Sequence, residues 1–279
     1  MIRPFRETDY DRYVEIANAN YPENPLSAEE VRHEDATWNH AKYFKLRTAA
    51  EDADRRVVGT GELTHHQTRF HPQKYWLDIY VDPAVQRRGH GGALYEHLLG
   101  ILHERDAIEA RTAAQETKPE VIAWLERRGF REVRRTWESR LDVGAFDFAA
   151  FAGAEGRAEE AGITFTTIGE ELERDREGAL RKAYDLHMAV SADVPGDEPF
   201  TPREYDDWVK FVEEPTFLAD GYLLAKLGDE WVGESCLWKN LTLPEVLQQG
   251  ITGVVSEQRG KGVAMELKVR GVRYAAARG

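Results

Sequence analysis

Cysteine is almost missing from this sequence, since Cys236 is the single one among 279 residues. One cysteine cannot form an internal disulfide and cannot build a cysteine-based zinc site. Trp231 and Trp238 flank it in a run that is typical of a strand. We therefore expect a small buried apolar side chain here, with a nucleophilic thiol as the alternative.

Long apolar runs are missing as well, because no stretch reaches the roughly 18 apolar residues of a membrane helix. The first residues, Met1-Ile2-Arg3-Pro4, lack the apolar core of a signal peptide. Basic residues are also few: the chain has 37 Lys and Arg but 50 Asp and Glu, which gives a net charge of −13. Nucleic-acid and anionic membrane surfaces need clustered Lys and Arg. The sequence thus predicts a soluble, cytoplasmic protein with neither nucleic acid nor membrane as partner.

Hydrophobic residues make up 42% of the chain, enough for packed cores, and the length predicts two domains or one large α/β unit. Residues 144–162, rich in Ala, Gly and acidic residues, have no strand pattern and predict an interdomain connection. The order of elements starts again after it. The predicted domains are therefore 1–143 and 163–279, joined by the linker 144–162.

The predicted elements follow from hydrophobic periodicity and capping signals. Ser27-Ala28-Glu29-Glu30 and Thr201-Pro202-Arg203-Glu204 both have the form of a capping box that opens a helix. Other helices are expected from Thr8 onward and over 91–104, 119–128, 170–189 and 262–277. Strands are expected at 2–5, 43–48, 56–64, 75–81, 107–113, 130–134, 136–141, 163–167, 222–227, 230–237 and 250–255. The second half thus lacks the final strand, helix and two strands of the first.

Each half has a glycine-rich turn between an apolar strand and a helix, near Gly89 and near Gly260. Such a turn directs backbone N–H groups to one point before a helix N-terminus, which suits a diphosphate. Neither turn has the Walker pattern or the G-x-G-x-x-G pattern of a dinucleotide fold. Nucleotide binding is therefore the weakest of the candidate functions.

The first turn, Gln86-Arg87-Arg88-Gly89-His90-Gly91, resembles the Q/R-x-x-G-x-G/A acetyl-CoA signature of the GNAT acyltransferase superfamily. Ile2-Arg3-Pro4 with Asp9 is similar to the opening strand and helix of that family, and Trp124–Phe130 to its late helix ending in Gly-Phe. The second half resembles the C-terminal halves of tandem GNAT proteins of the mycothiol synthase type. It departs from them at Glu257, which stands where Gln or Arg is usual, and in its missing last strands.

The resemblance implies an α/β (α+β) fold with two tandem GNAT-like domains, each a mixed, mostly antiparallel sheet flanked by helices, the second lacking its last strands. It implies acetyl transfer from acetyl-CoA, without a metal, to the amine of a small molecule by direct attack. An open strand edge in the second half would then be covered by the first domain or by another chain, as in a homodimer. The implied acetyl-CoA ligands are Val81, Gln86, Arg87, Arg88, Gly89, His90, Gly91, Gly92 and Ala93, with Val254, Arg259, Gly260, Lys261 and Gly262 in the second half.

For catalysis the resemblance implies a backbone N–H near Tyr80–Val81 that stabilises the oxyanion. An amine must also lose a proton, and Glu62 and Asp78 on neighbouring predicted strands are the candidate acceptors, unless they are ordinary solvated positions. His65, His66 and His71 match no metal spacing and are expected in a polar hairpin loop.

The late helix of many relatives carries a Tyr that protonates the leaving sulfur, and Leu125 stands at that position here. A thiol with a pKa near 8.5 can leave as a thiolate without this help. A non-catalytic acyl-CoA-binding or scaffold protein is therefore the alternative function.

Overall fold

The computed structural model describes residues 1–278, which form two β-sheets with helices around them. Contacts divide the chain into two units. The first unit contains residues 1–5, 44–66 and 71–142, and the second contains 6–43, 67–70 and 143–278. The predicted boundaries at 143 and 163 stay a prediction, and within 144–162 the chain forms a helix whose Ala158 is fully buried.

The elements alternate along the chain as in an α+β protein. The strands are β1 Ile2–Pro4, β2 Lys45–Glu51, β3 Val57–Thr64, β4 Lys74–Val81, β5 Glu109–Arg111, β6 Ile163–Thr167, β7 Phe217–Leu227, β8 Glu230–Lys239 and β9 Leu247–Val254. The helices are α1 Tyr10–Asn20, α2 Ala28–Thr37, α3 His90–Glu104, α4 Pro119–Glu126, α5 Ala152–Glu160, α6 Ile168–Arg174, α7 Arg176–Ala192, α8 Tyr205–Val209 and α9 Val263–Arg278.

The sheet of the first unit has the order β1-β2-β3-β4-β5, antiparallel except for the parallel pair β4–β5. Helix α3 covers one face, where Leu94, Leu98 and Leu102 pack on alternate residues of β3 and β4. A Cβ on Gly61 would lie 2.9 Å from Leu98 Cδ1, so glycine allows this close approach of helix and strand. The opposite face of β3 and β4 is where the polar side chains of these strands fall.

The sheet of the second unit has the order β6-β7-β8-β9 and is antiparallel throughout. Leu267 of α9 packs on one face with Ile163, Leu223 and Ala225. Helix α7 and Trp208 pack on the other face against Tyr222 and Leu224. The predicted fold class, two mixed α/β halves with mostly antiparallel sheets, is confirmed. Among the helices of the described residues, none combines the length and apolar character that crossing a bilayer requires.

The predicted strands at 130–134 and 136–141 are wrong. Residues 131–142 form no regular secondary structure and pair with neither sheet, and Val133, Trp137 and Leu141 are 67%, 78% and 55% exposed. Alternating apolar residues favour a strand, but a strand also needs a neighbour for its N–H and C=O groups. This segment has none within the described chain.

Two predictions about helices in the second half are also wrong. The helix expected over 170–189 is interrupted at Asp175, whose extended backbone and carboxylate cap α7 by accepting the Gly178 N–H at 3.0 Å. Thr201 does not cap a helix, because its hydroxyl accepts the N–H of Phe70 at 3.1 Å, and α8 begins at Tyr205. The Ser27 capping box is confirmed: its hydroxyl accepts the Glu30 N–H at 3.1 Å.

Candidate active site

The first glycine turn begins where β4 ends at Val81. The carboxylate of Asp82 accepts the Ala84 N–H at 2.9 Å and starts a single 3₁₀ turn, Pro83–Val85. The side chain of Gln86 then reaches back to donate to the Val81 carbonyl at 3.1 Å. The chain reverses through left-handed conformations at Arg87, with φ of 64°, and at Gly89, with φ of 93°. Because left-handed backbone favours glycine, Gly89 is suited to this position.

This turn ends in an open helix N-terminus. The first helical bond of α3 runs from the Ala93 N–H to the Gly89 carbonyl at 2.9 Å. The N–H groups of His90, Gly91 and Gly92 therefore precede the intrahelical ladder and point out of the helix end. A Cβ on Gly89 would meet no described atom within 4 Å, and one on Gly91 would meet Val81 Cγ2 at 3.5 Å. The turn thus has room and N–H donors for an anion such as a diphosphate.

Arg128 adds positive charge at the same helix end, and the sequence analysis did not select it. One of its terminal nitrogens would be 3.8 Å from a Cβ on Gly92. Its guanidinium stacks on Trp124, 3.6 Å from the ring centre, and lies 5.2 Å from the Tyr95 ring centre. Its Nε is buried and has no hydrogen-bond partner in the described structure. The signal in the sequence, an arginine before Gly129-Phe130, was present but not specific.

β4 diverges from β5 on the way to this turn. Only Lys74, Tyr75 and Trp76 pair with β5, while Gly59 to Thr64 of β3 pair with β4 as far as Val81. The Asp82 N–H donates to the Val58 carbonyl, and the Ile108 N–H to the Gln73 carbonyl, both at 2.9 Å. Residues of an antiparallel strand alternate in the direction of their N–H groups. The N–H groups of Ile79 and Val81 therefore point to the side where β5 has ended, and that of Tyr80 points to β3.

Glu62 and Asp78 lie directly opposite each other on β3 and β4, on the face away from α3. Arg47 of β2 is opposite Glu62 and forms an ion pair with it, and both side chains are largely buried. Asp78 is half-buried. Burial raises the pKa of Asp78 to about 6, and the negative charge of Glu62 adds to the rise. The two predicted carboxylates are thus together, but only Glu62 has an arginine beside it.

Other polar and aromatic side chains share this face. Trp76 and Tyr80 precede and follow Asp78 by two residues, so all three point the same way. Thr60 is opposite Tyr80, is 1% exposed, and its hydroxyl has no partner in the described structure. No pattern in the sequence indicated Thr60 or Arg47, because only the register of the strands brings these two residues close to the carboxylates.

The remaining residues singled out in the first half are structural. Trp124 packs edge-on against Tyr95, and Leu125 stands beside it on α4, which contains no hydroxyl side chain. His65 is buried, accepts the Phe44 N–H at 3.0 Å and packs against Tyr75. Burial lowers the pKa of His65. Among the described residues no group of His, Cys, Asp and Glu is arranged to hold a metal ion.

The second glycine turn repeats the plan of the first. A 3₁₀ turn, Ser256–Gln258, follows β9, and Gly260 and Gly262 have left-handed φ angles of 79° and 83° before α9. Arg259 donates to the Val254 carbonyl at 3.0 Å, as Gln86 does to the Val81 carbonyl, and it forms an ion pair with Asp193. The expectation for Glu257 is therefore wrong, because Arg259 stands at the Gln/Arg position of the turn. Lys261 donates to Gln258 at 2.6 Å. A concavity of about 210 Å³ is lined by Val254, Gln258, Arg259, Gly260, Gly262, Val263, Ala264 and Met265.

The sheet beside the second turn carries different side chains. Gly233 pairs with Val254 as Gly59 pairs with Val81, so Cys236 and Ile251 occupy the positions of Glu62 and Asp78. Cys236 is buried, as expected, and burial raises the pKa of its thiol. Gly253 stands at the position of Tyr80, and a Cβ there would lie 2.5 Å from Val190 Cβ of α7. The carboxylate pair of the first half is therefore not repeated.

A buried carboxylate, which no sequence pattern indicated, lies two residues before Cys236 and directly opposite Gly253. Glu234 is fully buried on β8, accepts the hydroxyl proton of Tyr222, and is 2.8 Å from His187 Nδ1. Burial and the charge of Glu234 raise the pKa of Tyr222 well above its usual value, so the phenol keeps its proton as the donor. This trio connects α7, β7 and β8 inside an aromatic core and satisfies the carboxylate there.

In the first half a glycine turn follows a central strand, a helix N-terminus lies behind the turn, and a neighbouring strand diverges, as the resemblance to the GNAT superfamily implies. Residues 10–130 match the sequence profile of the Acetyltransferase (GNAT) family. None of the curated proteins compared matches the chain. The sequence match thus covers the first half, and the roles predicted for individual residues stay predictions.

Solved structures extend the likeness to both halves. The tandem GNAT protein from the clavulanic acid biosynthesis pathway is 15% identical with a TM-score of 0.67, over 100% of this chain and 86% of that one. A GCN5-related N-acetyltransferase from Sphaerobacter thermophilus is 17% identical with a TM-score of 0.63, over 98% of this chain and 82% of that one. The glucosamine N-acetyltransferase region of a fungal multi-domain β-N-acetylglucosaminidase is 15% identical with a TM-score of 0.66. That match covers 100% of this chain but only 34% of the fungal chain. These matches show that the chain has a tandem GNAT fold.

Proposed function

We propose that this protein is an acetyl-CoA-dependent N-acetyltransferase that acetylates the amine of a small molecule, and that its first half carries turnover. The proposal rests on one observation: three features that acetyl transfer requires all lie along β4. The glycine turn lies at its end, the divergence from β5 along its edge, and Asp78 on its face.

The turn supports the first part of this proposal, the binding of acetyl-CoA, whose chemical contribution is an activated thioester. The N–H groups of His90, Gly91 and Gly92 suit the diphosphate of this cosubstrate. Arg87, Arg88 and Arg128 bring positive charge to the same place. The N–H groups of Ile79 and Val81, on the diverging edge, are then positioned to donate to the carbonyl oxygen as negative charge develops on it.

Asp78 is the better proton acceptor of the two carboxylates. Arg47 is already paired with Glu62, whereas Asp78 has a pKa of about 6, closer to neutral pH. A general base works best when its pKa is near the working pH. In this mechanism Asp78 takes one proton from the bound ammonium group, the neutral nitrogen then attacks the thioester carbon, the carbon–sulfur bond breaks, and the second proton lost by the nitrogen passes to solvent. The sulfur leaves as a thiolate, which suits a helix α4 that offers Leu125 in place of a proton donor.

The face around Asp78 supports a cationic amine as the acceptor. Trp76 and Tyr80 provide aromatic rings on either side of the carboxylate, and rings of this kind attract ammonium groups. The buried Thr60 hydroxyl, which has no partner in the described structure, offers an acceptor for an ammonium proton. Small molecules are the substrate class that such an arrangement of side chains on one strand pair suits best.

We propose that the second half binds acetyl-CoA but does not catalyse acetyl transfer. Its turn has left-handed Gly260 and Gly262 where the first turn has left-handed Arg87 and Gly89, and it has a concavity. Cys236 and Ile251, however, replace the two carboxylates. The resemblance to tandem proteins of the mycothiol synthase type stays a prediction.

The test is thiol release from acetyl-CoA with a panel of polyamines, aminoglycosides and amino acids, with acetyl-CoA binding measured by calorimetry in parallel. Turnover with one of these amines supports the proposal. Binding without turnover for the whole panel favours the alternative, a non-catalytic acyl-CoA-binding protein.

A further inference from the structure

The second glycine turn contains an ion pair that the first turn lacks. Its arginine, Arg259, is bound to the carboxylate of Asp193, the residue that follows α7. Both side chains are about half exposed, so this contact lies at the open surface of the turn. In the first turn, by contrast, Arg87, Arg88 and Arg128 have no carboxylate partner among the described residues.

The packing of α7 holds Asp193 in this place. Val190, one helical turn earlier, packs on β9, and its carbonyl accepts the Asp193 N–H at 3.3 Å. On the other side of Asp193, the carbonyl of Val194 accepts a hydrogen bond from Arg69 at 2.7 Å. The backbone is thus fixed both before and after Asp193, and the carboxylate does not depend on Arg259 alone for its position.

The charges around the two turns consequently differ. At the second turn, Asp193 and Glu257 oppose the positive charges of Arg259 and Lys261. Helix α7 also ends beside this turn, and the C-terminal end of a helix carries a partial negative charge. A phosphate that approaches the second turn therefore meets nearly balanced charge, whereas the first turn offers it an excess of arginines.

A diphosphate at the N-terminus of α9 is stabilised by a cation beside the free N–H groups. Arg259 is the arginine of this turn, and one of its terminal nitrogens is already bound to Asp193. We propose that Asp193 is an internal competitor, which occupies Arg259 in place of a phosphate and so weakens the binding of acetyl-CoA to the second half. This inference rests on the proposed function, because it concerns the second binding site assigned there. Binding then exchanges one partner of Arg259 for another, and the Asp193 carboxylate is released to water.

Calorimetry with acetyl-CoA measures this exchange in a chain whose first turn is closed by Gly89→Glu. In that chain Asp193→Asn should tighten binding about tenfold, because it removes both the competitor and a negative charge beside the phosphates. The gain should shrink at high salt, since both side chains are half exposed. Asp220→Asn, the same change at an exposed carboxylate of β7, is the matched control and should leave the affinity unchanged.

A second comparison isolates the ion pair. Arg259→Gln keeps a donor for the Val254 carbonyl, as Gln86 provides in the first turn, but removes the charge that Asp193 binds. In the Arg259→Gln chain, Asp193→Asn should tighten binding by no more than about threefold, because the two residues act through one interaction. In a chain whose second turn is closed by Gly260→Glu, Asp193→Asn should change nothing.

Tighter binding in the Gly89→Glu chain, with the gain lost in the Arg259→Gln chain, supports the inference. An affinity that Asp193→Asn leaves unchanged, an equal gain with and without Arg259, or no binding of acetyl-CoA to either chain with a closed first turn overturns it. Gly91→Glu closes the first turn independently, and thermal unfolding shows that the variants are folded. Thiol release by the unmodified chain decides the proposed function separately, because that turnover is assigned to the first half.

Discussion

Asp78→Asn is expected to lower activity and raise stability at the same time. If Asp78 accepts the proton of the amine, its loss lowers kcat/KM by roughly 10²–10⁴ near neutral pH. The loss shrinks at high pH, where more of the amine is already neutral. For the unmodified protein we expect kcat/KM to fall as the pH drops through about 6, because Asp78 then carries a proton and cannot accept another.

The gain in stability follows from the same pKa. Asp78 has a pKa of about 6 in the folded protein and an ordinary value of 3.8. The folded state thus binds this proton more tightly than the unfolded chain, so the free energy of unfolding falls as the pH rises from about 4 to 6. The cost of ionised Asp78 is complete above that window. A difference of about two pKa units corresponds to about 3 kcal/mol. Because asparagine does not ionise, the variant avoids this cost at neutral pH.

Urea denaturation at a series of pH values measures this difference. The free energies of unfolding of the two proteins should converge near pH 4 and differ by up to about 3 kcal/mol at pH 8, the variant being more stable. Asp54→Asn, an exposed carboxylate of the same unit, is the isosteric control and should follow the unmodified protein. Equal stabilities of Asp78→Asn and unmodified protein at pH 8, or an activity loss independent of pH, would refute the reasoning.

Four further variants test the turns and the ion pair. Gly89→Glu and Gly260→Glu each place a negative charge on a left-handed glycine; in rate assays the first should abolish acetyl transfer and the second should spare most of it, and the opposite ranking would assign turnover to the second half. Gly91→Ala adds a methyl that the protein accommodates at 3.5 Å, so calorimetry should show weaker acetyl-CoA binding while thermal unfolding shows no loss of stability. Arg47→Met leaves Glu62 without its buried partner and should lower the free energy of unfolding in urea by about 3 kcal/mol; an unchanged value would mean that the pair is solvated.

Features set by a few neighbouring residues were predictable from the sequence. Both glycine turns depend on left-handed glycines between a strand and a helix, and both occur where the pattern indicated. The Ser27 capping box depends on residues three apart and forms as expected. The opposition of Glu62 and Asp78 was within reach too, because both lie on adjacent strands of the predicted sheet.

Features set by distant partners were not predictable. Thr201 has the residues of a helix cap, but its hydroxyl is taken by Phe70, 131 positions earlier. Arg47 meets Glu62 only because of the register between β2 and β3. Residues 130–134 and 136–141 were predicted to be strands, yet no strand in the described chain pairs with residues 131–142. A local pattern states what a segment prefers, and the partner decides whether the preference is realised.

The contact between Val190 and Gly253 limits which substitutions the second half can accept. Giving the second half the side chains of the first requires carboxylates at Cys236 and Ile251 and a tyrosine at Gly253. Any side chain at Gly253 would meet Val190 Cβ at 2.5 Å, so that change succeeds only if Val190 becomes smaller as well. No single substitution gives the second half the side chains of the first. A carboxylate at Cys236 alone would bury a charge, and a tyrosine at Gly253 alone would create a clash. The packing of α7 over β9 at Gly253 therefore excludes from the second half the tyrosine that the first half carries beside Asp78.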